Sequence, residues 1–477
     1  MNFRRSIVWF RQDLRLHDNE ALTDAIKICD EIIPVYIFDE RLFKNKSKYG
    51  FPKIGVHRAK LMIESVLDLK SSLQAIGSDL YVRIGKPEDI IFQLASDLKT
   101  SWVYCNRERT REEVEVQNEL EKKLWTIGQE ILFYRGKMLL HTSDLPFPVT
   151  HTPDIFTQFR KEIESFVPIR EPIESISTKV APISTKIEFA EVPTLADLGF
   201  EELKTDPRSA FPFLGGETEA LKRLQHYIWE SKAVKTYKET RNELLGVDFS
   251  TKFSPYLAMG CLSPKKIHHE IKLFEAQYGA NESTYWVTFE LLWRDFFRLM
   301  AKKFVHKIFL KGGTLGRVRK DLTDDMELFT KWAEGKTGIP FIDANMRELA
   351  LTGFMSNRGR QNVASFLVND LKVNWQLGAE WFEANLIDYD PSSNWGNWNY
   401  VAGVGNDPRQ DRVFNIVSQA KRYDPDGKYV KTWLPELQSV PESFIHSPDA
   451  FAESQGFQSI SDMGIDYPDP IVQLKVY

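Results

Sequence analysis

Over the first 135 residues, short apolar runs alternate with longer stretches of helical spacing. Residues 6–10, 32–38, 79–84, 101–105 and 130–134 read as strands. Residues 19–29, 56–76, 87–98 and 111–127 read as helices, with Pro87 at a first position that tolerates it. Such alternation predicts an α/β domain over 1–135: a doubly wound parallel sheet with helices on both faces. Ligands in these sheets bind outside the carboxyl ends of the strands. Neither the glycine-rich dinucleotide fingerprint nor a phosphate loop follows the first strand, so an ordinary dinucleotide or triphosphate site is not supported.

From 136 to about 210 the pattern dissolves. Nine prolines between Pro146 and Pro212 break any long regular element, and a long connector draped over the surface is expected. Beyond about 215, strand signals nearly vanish. Helical spacing covers 217–231, 264–278, 283–305, 323–335, 339–352, 357–371 and 377–385, so an all-α domain over 211–477 is expected.

Composition narrows the function. The chain is 42% hydrophobic and 27% charged, ordinary for a soluble globular protein. A net charge of −5 signals no nucleic-acid partner globally, although a local basic face stays open. Cys29, Cys105 and Cys261 show neither metal-ligand nor CxxC spacing and read as free thiols in a reducing compartment. No metal site is expected. No apolar run is long enough for a membrane, and the start leads straight into the first strand, leaving no room for a signal or transit peptide. A cytoplasmic monomer is the expectation.

Candidate chemistry lies in the second half, which holds eight of the 12 tryptophans after residue 285. Between Leu386 and Tyr400 stand Asp388, Asp390, Asn394, Trp395, Asn397, Trp398 and Asn399. A plain core has little use for so many acids and amides, and a solvent-facing loop little use for the indoles. A large planar, polar-edged group such as an isoalloxazine wants both. A turn-rich loop with inward aromatics is the plainer alternative. On a helix over 286–298, Glu290, Trp293, Arg294 and Phe297 share one face. Glu290 there could accept hydrogen bonds from a base edge, Trp293 stack on it and Arg294 hold phosphate. A plain amphipathic helix with an internal Glu290–Arg294 pair has the same spacing. In 353–362, Arg360 is a rigid fork suited to a carboxylate, with Asp388 and Asp390 as partners. Tyr237 and the hydroxyl-rich run Ser250, Thr251, Lys252, Phe253, Ser254, ahead of Pro255, suggest a diphosphate site or a simple helix cap. A basic run from Arg298 through Lys302, Lys303, Lys307, Lys311, Arg317, Arg319 and Lys320 follows the cavity helix and could meet a phosphate backbone or simply face water.

The motif Trp9-Phe-Arg-Gln-Asp-Leu-Arg-Leu-His-Asp-Asn19 resembles the N-terminal signature of the photolyase/cryptochrome family. Residues 250–254, 290–294, 357–361 and 388–400 resemble its flavin domain, and the likeness covers essentially the whole chain. Within the family the chain resembles the DASH cryptochromes, by residues 237–242, 252–255, 357–361, 395–400 and 403–408. It ends shortly after Asp466-Tyr-Pro-Asp-Pro470, without the long tail of signalling cryptochromes.

The resemblance implies an antenna domain, a helical domain holding one non-covalent FAD, and blue-light repair of cyclobutane pyrimidine dimers. Excited reduced FAD lends an electron to the dimer, the ring splits and the electron returns; the cofactor carries the chemistry. By the same resemblance Tyr237, Ser250, Thr251, Lys252, Phe253, Ser254 and Arg294 contact the FAD phosphates and ribityl chain. Asp388 and Arg360 form an ion pair near the flavin, Asp390 bonds flavin or adenine-side groups, and Asn394 lies opposite flavin N5. Glu290 and Asn357 meet the pyrimidine edges, Asn357 also counting among the flavin contacts, and Trp293 stacks. Glu108, in Asn106-Arg-Glu108, resembles the contact to a methenyltetrahydrofolate antenna. Two departures from classical dimer photolyases, Tyr400 for Trp and Gln361 for Met, make the substrate cavity more polar. They imply dimers in single-stranded DNA, where flipping costs least. Trp398 and Trp375 match the proximal and middle members of the family's photoreduction chain, whereas the outer position is Leu322. A photoreceptor without repair is the competing expectation, and a dark flavin oxidoreductase lacks a nicotinamide site.

Overall fold

The computed structural model describes residues 3–176, 187–406 and 413–474; of the motif at 403–408, Asp407 and Pro408 lie outside them. Five parallel strands, β1 (Arg5–Phe10), β2 (Glu31–Asp39), β3 (Tyr81–Gly85), β4 (Trp102–Asn106) and β5 (Glu130–Tyr134), stand in the order β3-β2-β1-β4-β5. The expected doubly wound sheet is present. Both faces are covered, so the strands are apolar on both sides. Ile7 and Trp9 of β1 join Ile91, Leu120 and Leu124 from helices Pro87–Leu98 and Arg111–Trp125. Val8 and Phe10 face the other way, into a core shared with helices Glu20–Ile28 and Val56–Ala75 and with the second half of the chain. The two-residue alternation of a strand thus sends one strand's side chains into two cores.

The expected helices of the second half form, with shifted ends. Helix Glu217–Gln225 and helix Asn357–Ser365 each run on into one π-turn, at His226–Glu230 and Phe366–Asp370. The aromatic and amide-rich stretch is mostly helix, Pro391–Val401, rather than a turn-rich loop. Asp390 caps it by accepting from Ser393 N at 2.8 Å, and Pro391 suits its first position. The helices at Ile416–Tyr423, Lys428–Trp433 and Pro448–Ser454, of 8, 6 and 7 residues, are too short for their spacing to be read. The proline-rich stretch is not all surface connector either. Helix Phe156–Phe166 forms between Pro153 and Pro168 and buries Phe156, Phe159 and Ile163.

The signature Trp9–Asn19 joins the two halves. Arg15 is 1% exposed, and its guanidinium donates to the carbonyls of His17 (3.0 Å), Asp18 (3.0 Å), Gly136 (2.7 Å) and Gly260 (2.8 Å). Glu217 accepts the backbone N–H groups of Leu16 (2.6 Å) and His17 (3.0 Å). Gly260, at φ +74, is required by this contact, because a Cβ there would lie 2.1 Å from the Gln12 carbonyl oxygen. Among the described residues no helix is long and apolar enough to cross a membrane, and no acidic, His or Cys cluster could hold a metal ion.

Candidate active site

A cavity of about 330 Å³ opens in the helical half. Its walls are helix Glu282–Phe304, helix Asn357–Ser365, helix Pro391–Val401 and the segment 250–258. Residues far apart in sequence meet here: Tyr237, Ser250, Thr251, Lys252, Phe253, Ser254, Glu290, Arg294, Asn357, Arg360, Gln361, Asp388, Asp390, Asn394 and Trp398 all line it.

On one wall Arg360 Nη2 donates to Asp388 Oδ2 at 2.9 Å, and Nε to the Met355 carbonyl at 2.9 Å. The other Asp388 oxygen, Oδ1, is buried without a protein partner. A buried acceptor of this kind is costly unless a donor reaches it. Asn394 donates to the Ala379 carbonyl at 3.0 Å, which fixes its carboxamide at the wall. Asp390 accepts from Arg298 at 2.7 Å. Burial raises the Asp390 carboxyl, but Arg298 and Arg294 outweigh it and hold it below the usual carboxylate range.

The segment 250–254 brings hydroxyls and one buried cation. Lys252 takes a left-handed backbone (φ +57), donates to Ser250 Oγ at 3.1 Å and lies over the Phe249 ring. Burial drives its ammonium well below the ordinary lysine value, with Glu348 opposing. Arg294 donates to the carbonyls of Lys137 (2.8 Å) and Leu257 (3.2 Å), so the Glu290–Arg294 pair allowed by spacing does not form. Glu290 instead pairs with Arg241 at 2.7 Å, its side chain 31% exposed at the mouth. Arg241 lies inside the quoted run 237–242, yet nothing local in sequence shows a partner 49 residues away. Asn357 is exposed at the rim, and Arg358 Nη1 donates to the Gln361 side-chain oxygen Oε1 at 2.9 Å.

Four candidates, Trp293, Tyr400, Trp375 and Glu108, lie outside this lining. Trp293 already stacks on Phe156, rings 3.7 Å apart and 12° from parallel, and meets Tyr400 edge-on at 6.0 Å. Trp375 is buried against Trp395 at 5.7 Å. Glu108 is 2% exposed and engaged by Lys137 and Arg298. Arg298, first of the basic run, is itself buried between two acids and does not face a phosphate backbone. His306, Phe309, Leu310 and Lys311 line a second cavity of about 640 Å³ between the two halves. Glu113 and Lys137 face that cavity, as do Glu383 and Tyr389; Glu108 does not.

The donor set of the first cavity fits a flavin dinucleotide. Hydroxyls and Arg294 suit a diphosphate, the free Asp388 oxygen suits an N–H of a ring edge, and Trp398 offers an aromatic wall. Comparison with known proteins agrees with the geometry. Residues 286–476 match the FAD binding domain of DNA photolyase, and residues 6–177 match DNA photolyase. A Gloeobacter violaceus relative named Cryptochrome DASH is 47% identical over 474 residues, covering 99% of this chain and 94% of the relative. A Xenopus laevis relative of the same name is 47% identical, covering 98% and 89%. The crystal structure of a Synechocystis cryptochrome superimposes with a TM-score of 0.93 at 46% identity, covering 99% of this chain and 97% of that one. A class III photolyase from Agrobacterium tumefaciens superimposes at 0.82 with 30% identity, covering 99% and 95%.

Proposed function

This chain belongs to the photolyase/cryptochrome family, and we propose that it binds one FAD in the first cavity and uses blue light to split cyclobutane pyrimidine dimers, preferentially in single-stranded DNA. The observation that carries the reading is the meeting of the Asp388–Arg360 pair, with its unpartnered carboxylate oxygen, and Glu290, Asn357 and Gln361 around one opening. Reduced FAD, when bound, supplies the light-excited electron. The chain's own residues hold, orient and shield. Asp388 and Asn394 face the ring system, while Ser250, Thr251, Ser254 and Arg294 receive the diphosphate end. Glu290 and Asn357 take the polar edges of the pyrimidines at the mouth. Enclosure raises the Glu290 carboxyl above its usual range, with Arg241 opposing.

Single-strand preference follows from cost against grip. Extracting a dimer from duplex costs a few kcal/mol of stacking and pairing. The rim offers Gln361, its side-chain oxygen fixed by Arg358, and beyond the lining the phenol of Tyr400 stands edge-on to Trp293; an amide and a phenol do less than a methionine and an indole to hold an apolar dimer edge. Illumination of the purified protein with thymine-dimer oligonucleotides tests this. Repair is expected in single strands and far less in intact duplex. Glu290→Ala should retain FAD and lose roughly tenfold to a hundredfold in repair, the worth of a hydrogen bond to a charged group. Equal repair of both substrates contradicts the rim argument, and repair of neither favours a photoreceptor.

The second cavity is proposed as the site of a methenyltetrahydrofolate antenna. Glu113, which faces it, replaces Glu108 as the acid for the pterin edge. Extraction of the bound chromophores, finding only FAD even after folate is added, would count against this.

A further inference from the structure

We propose that Glu108, an acid of the α/β half, is a positioning residue for the flavin: through Arg298 it sets the charge and orientation of Asp390. The inference rests on the FAD reading above. One guanidinium bridges two carboxylates. Arg298 Nη1 reaches Asp390 Oδ2 at 2.7 Å, and Nη2 reaches Glu108 Oε2 at 3.3 Å. The other Glu108 oxygen, Oε1, accepts from Lys137 Nζ. An alternating row, Asp390–Arg298–Glu108–Lys137, therefore runs from the wall of the first cavity out of the helical half into the loop after β4 and the segment after β5. Lys137 and Asp390 also both border the second cavity.

This row is a poor device for stability alone. Arg298 is 3% exposed, Glu108 2% and Lys137 6%, and buried ion pairs of this kind are often matched or bettered by apolar packing. It is well placed to manage charge. Arg298 and Arg294 lie on one helix, and Arg109 is close by. Arg109 and Arg294 are both pushed down to about 10, by burial first and by Arg298 next. Glu108 is the carboxylate that the α/β half sets against this excess of cations. With Glu108 neutral, Asp390 is the carboxylate left in hydrogen-bond contact with Arg298, and Lys137 loses its hydrogen-bonded acid, while Glu113 and Asp295 act on the cluster only through space. The wall of the first cavity then gains one unit of buried positive charge, poorly screened at short range. A reduced flavin carries more negative charge than an oxidised one, so such a charge favours the reduced form.

The test is the midpoint potential of bound FAD, read by equilibrium against a reference dye in the holoprotein. Glu108→Gln should raise the reduced-to-oxidised ratio about tenfold, about 30 mV for a two-electron couple. Lys137→Met, which removes a positive charge, should shift it the other way. The Glu108→Gln/Lys137→Met double variant restores the net charge and should return close to the wild-type value. Glu108→Asp, which keeps the carboxylate, should stay there. A merely structural role would move stability but not the sign of these shifts. Should either single variant fail to fold, the other decides by its sign. A Glu108→Gln protein with bound FAD and an unchanged potential overturns the proposal, as does a Lys137→Met protein that moves upward or not at all. A wild-type chain that takes up no FAD would instead remove the flavin reading itself.

Discussion

Asp388→Ala is expected to purify without flavin. The wild-type carboxylate does two things at once: one oxygen pairs with Arg360 at 2.9 Å, and the other lies buried with no protein partner, on a residue that lines the cavity. Its side chain is 3% exposed, so that second oxygen is largely withdrawn from bulk solvent. A ligand N–H that reaches it gains a charge-assisted hydrogen bond and relieves a group already desolvated. Alanine removes this acceptor and strands the Arg360 head, whose remaining partner is the Met355 carbonyl. Losing the hydrogen bond to a charged acceptor costs about 1.5–3 kcal/mol, roughly tenfold to a hundredfold in affinity, before any loss from the displaced Arg360 head. The flavin-to-protein absorbance ratio after gel filtration checks it, with circular dichroism to confirm that the chain is folded. Asp388→Asn, which keeps the shape and one acceptor oxygen, should fall between. A folded Asp388→Ala protein with full, tightly held FAD would show that the flavin edge lies elsewhere.

Which parts of this site were legible in sequence depends on the range of the interaction. Strand–helix alternation is local, and it marked all five strands of the sheet to within two residues. Most of the motif residues from 237 to 398, though not Trp293 or Trp375, converge on one cavity, and each sits on an element that could be recognised separately. Long-range pairings were not legible. Helical spacing offered Arg294 as the partner of Glu290, but the fold supplies Arg241 from another segment, and Arg294 goes to backbone carbonyls. Trp293 was free to stack on a base only while helix Phe156–Phe166 was hidden among prolines; that helix puts Phe156 against the indole face. Glu108 and Glu113 stand five residues apart in one acidic and basic run. Only the packing of helix Arg111–Trp125 decides that Glu113 faces the interdomain cavity and Glu108 turns inward to Arg298. Periodicity reports which face a residue occupies, and tertiary packing reports what that face meets.

On the proposed reading, the same distinction bears on the electron path by which light would reduce oxidised FAD. Trp398 lines the cavity at 2% exposure. Helix Trp375–Asn385 approaches it closely because position 378 is glycine; a Cβ there would lie 2.2 Å from Trp398 Cη2. Trp375 is buried, its indole N–H given to the Lys311 carbonyl at 3.2 Å. The backbone places Leu322 beside this helix start, since Thr323 N donates to the Lys372 carbonyl at 2.9 Å and Asn374 N to the Thr323 carbonyl at 2.8 Å. An aliphatic side chain there cannot carry a hole onward, because it has no accessible oxidised state. The aromatic neighbour the structure gives Trp375 is Trp395, whose indole N–H reaches the Tyr389 hydroxyl at 3.3 Å. Trp398→Phe is therefore expected to slow photoreduction strongly while repair by pre-reduced enzyme survives, because repair draws its electron from the flavin and not from this chain. Leu322→Trp is expected to raise the yield of stable reduced flavin by moving the hole toward solvent. Transient absorption reads both. Unchanged photoreduction in Trp398→Phe would show that the first donor is another residue. Efficient wild-type photoreduction left unaltered by Leu322→Trp would show that the hole already leaves by a different route, for which Trp395→Phe is the discriminating variant: if the Trp395–Tyr389 pair carries it, photoreduction should fall in that variant even with Leu322 in place.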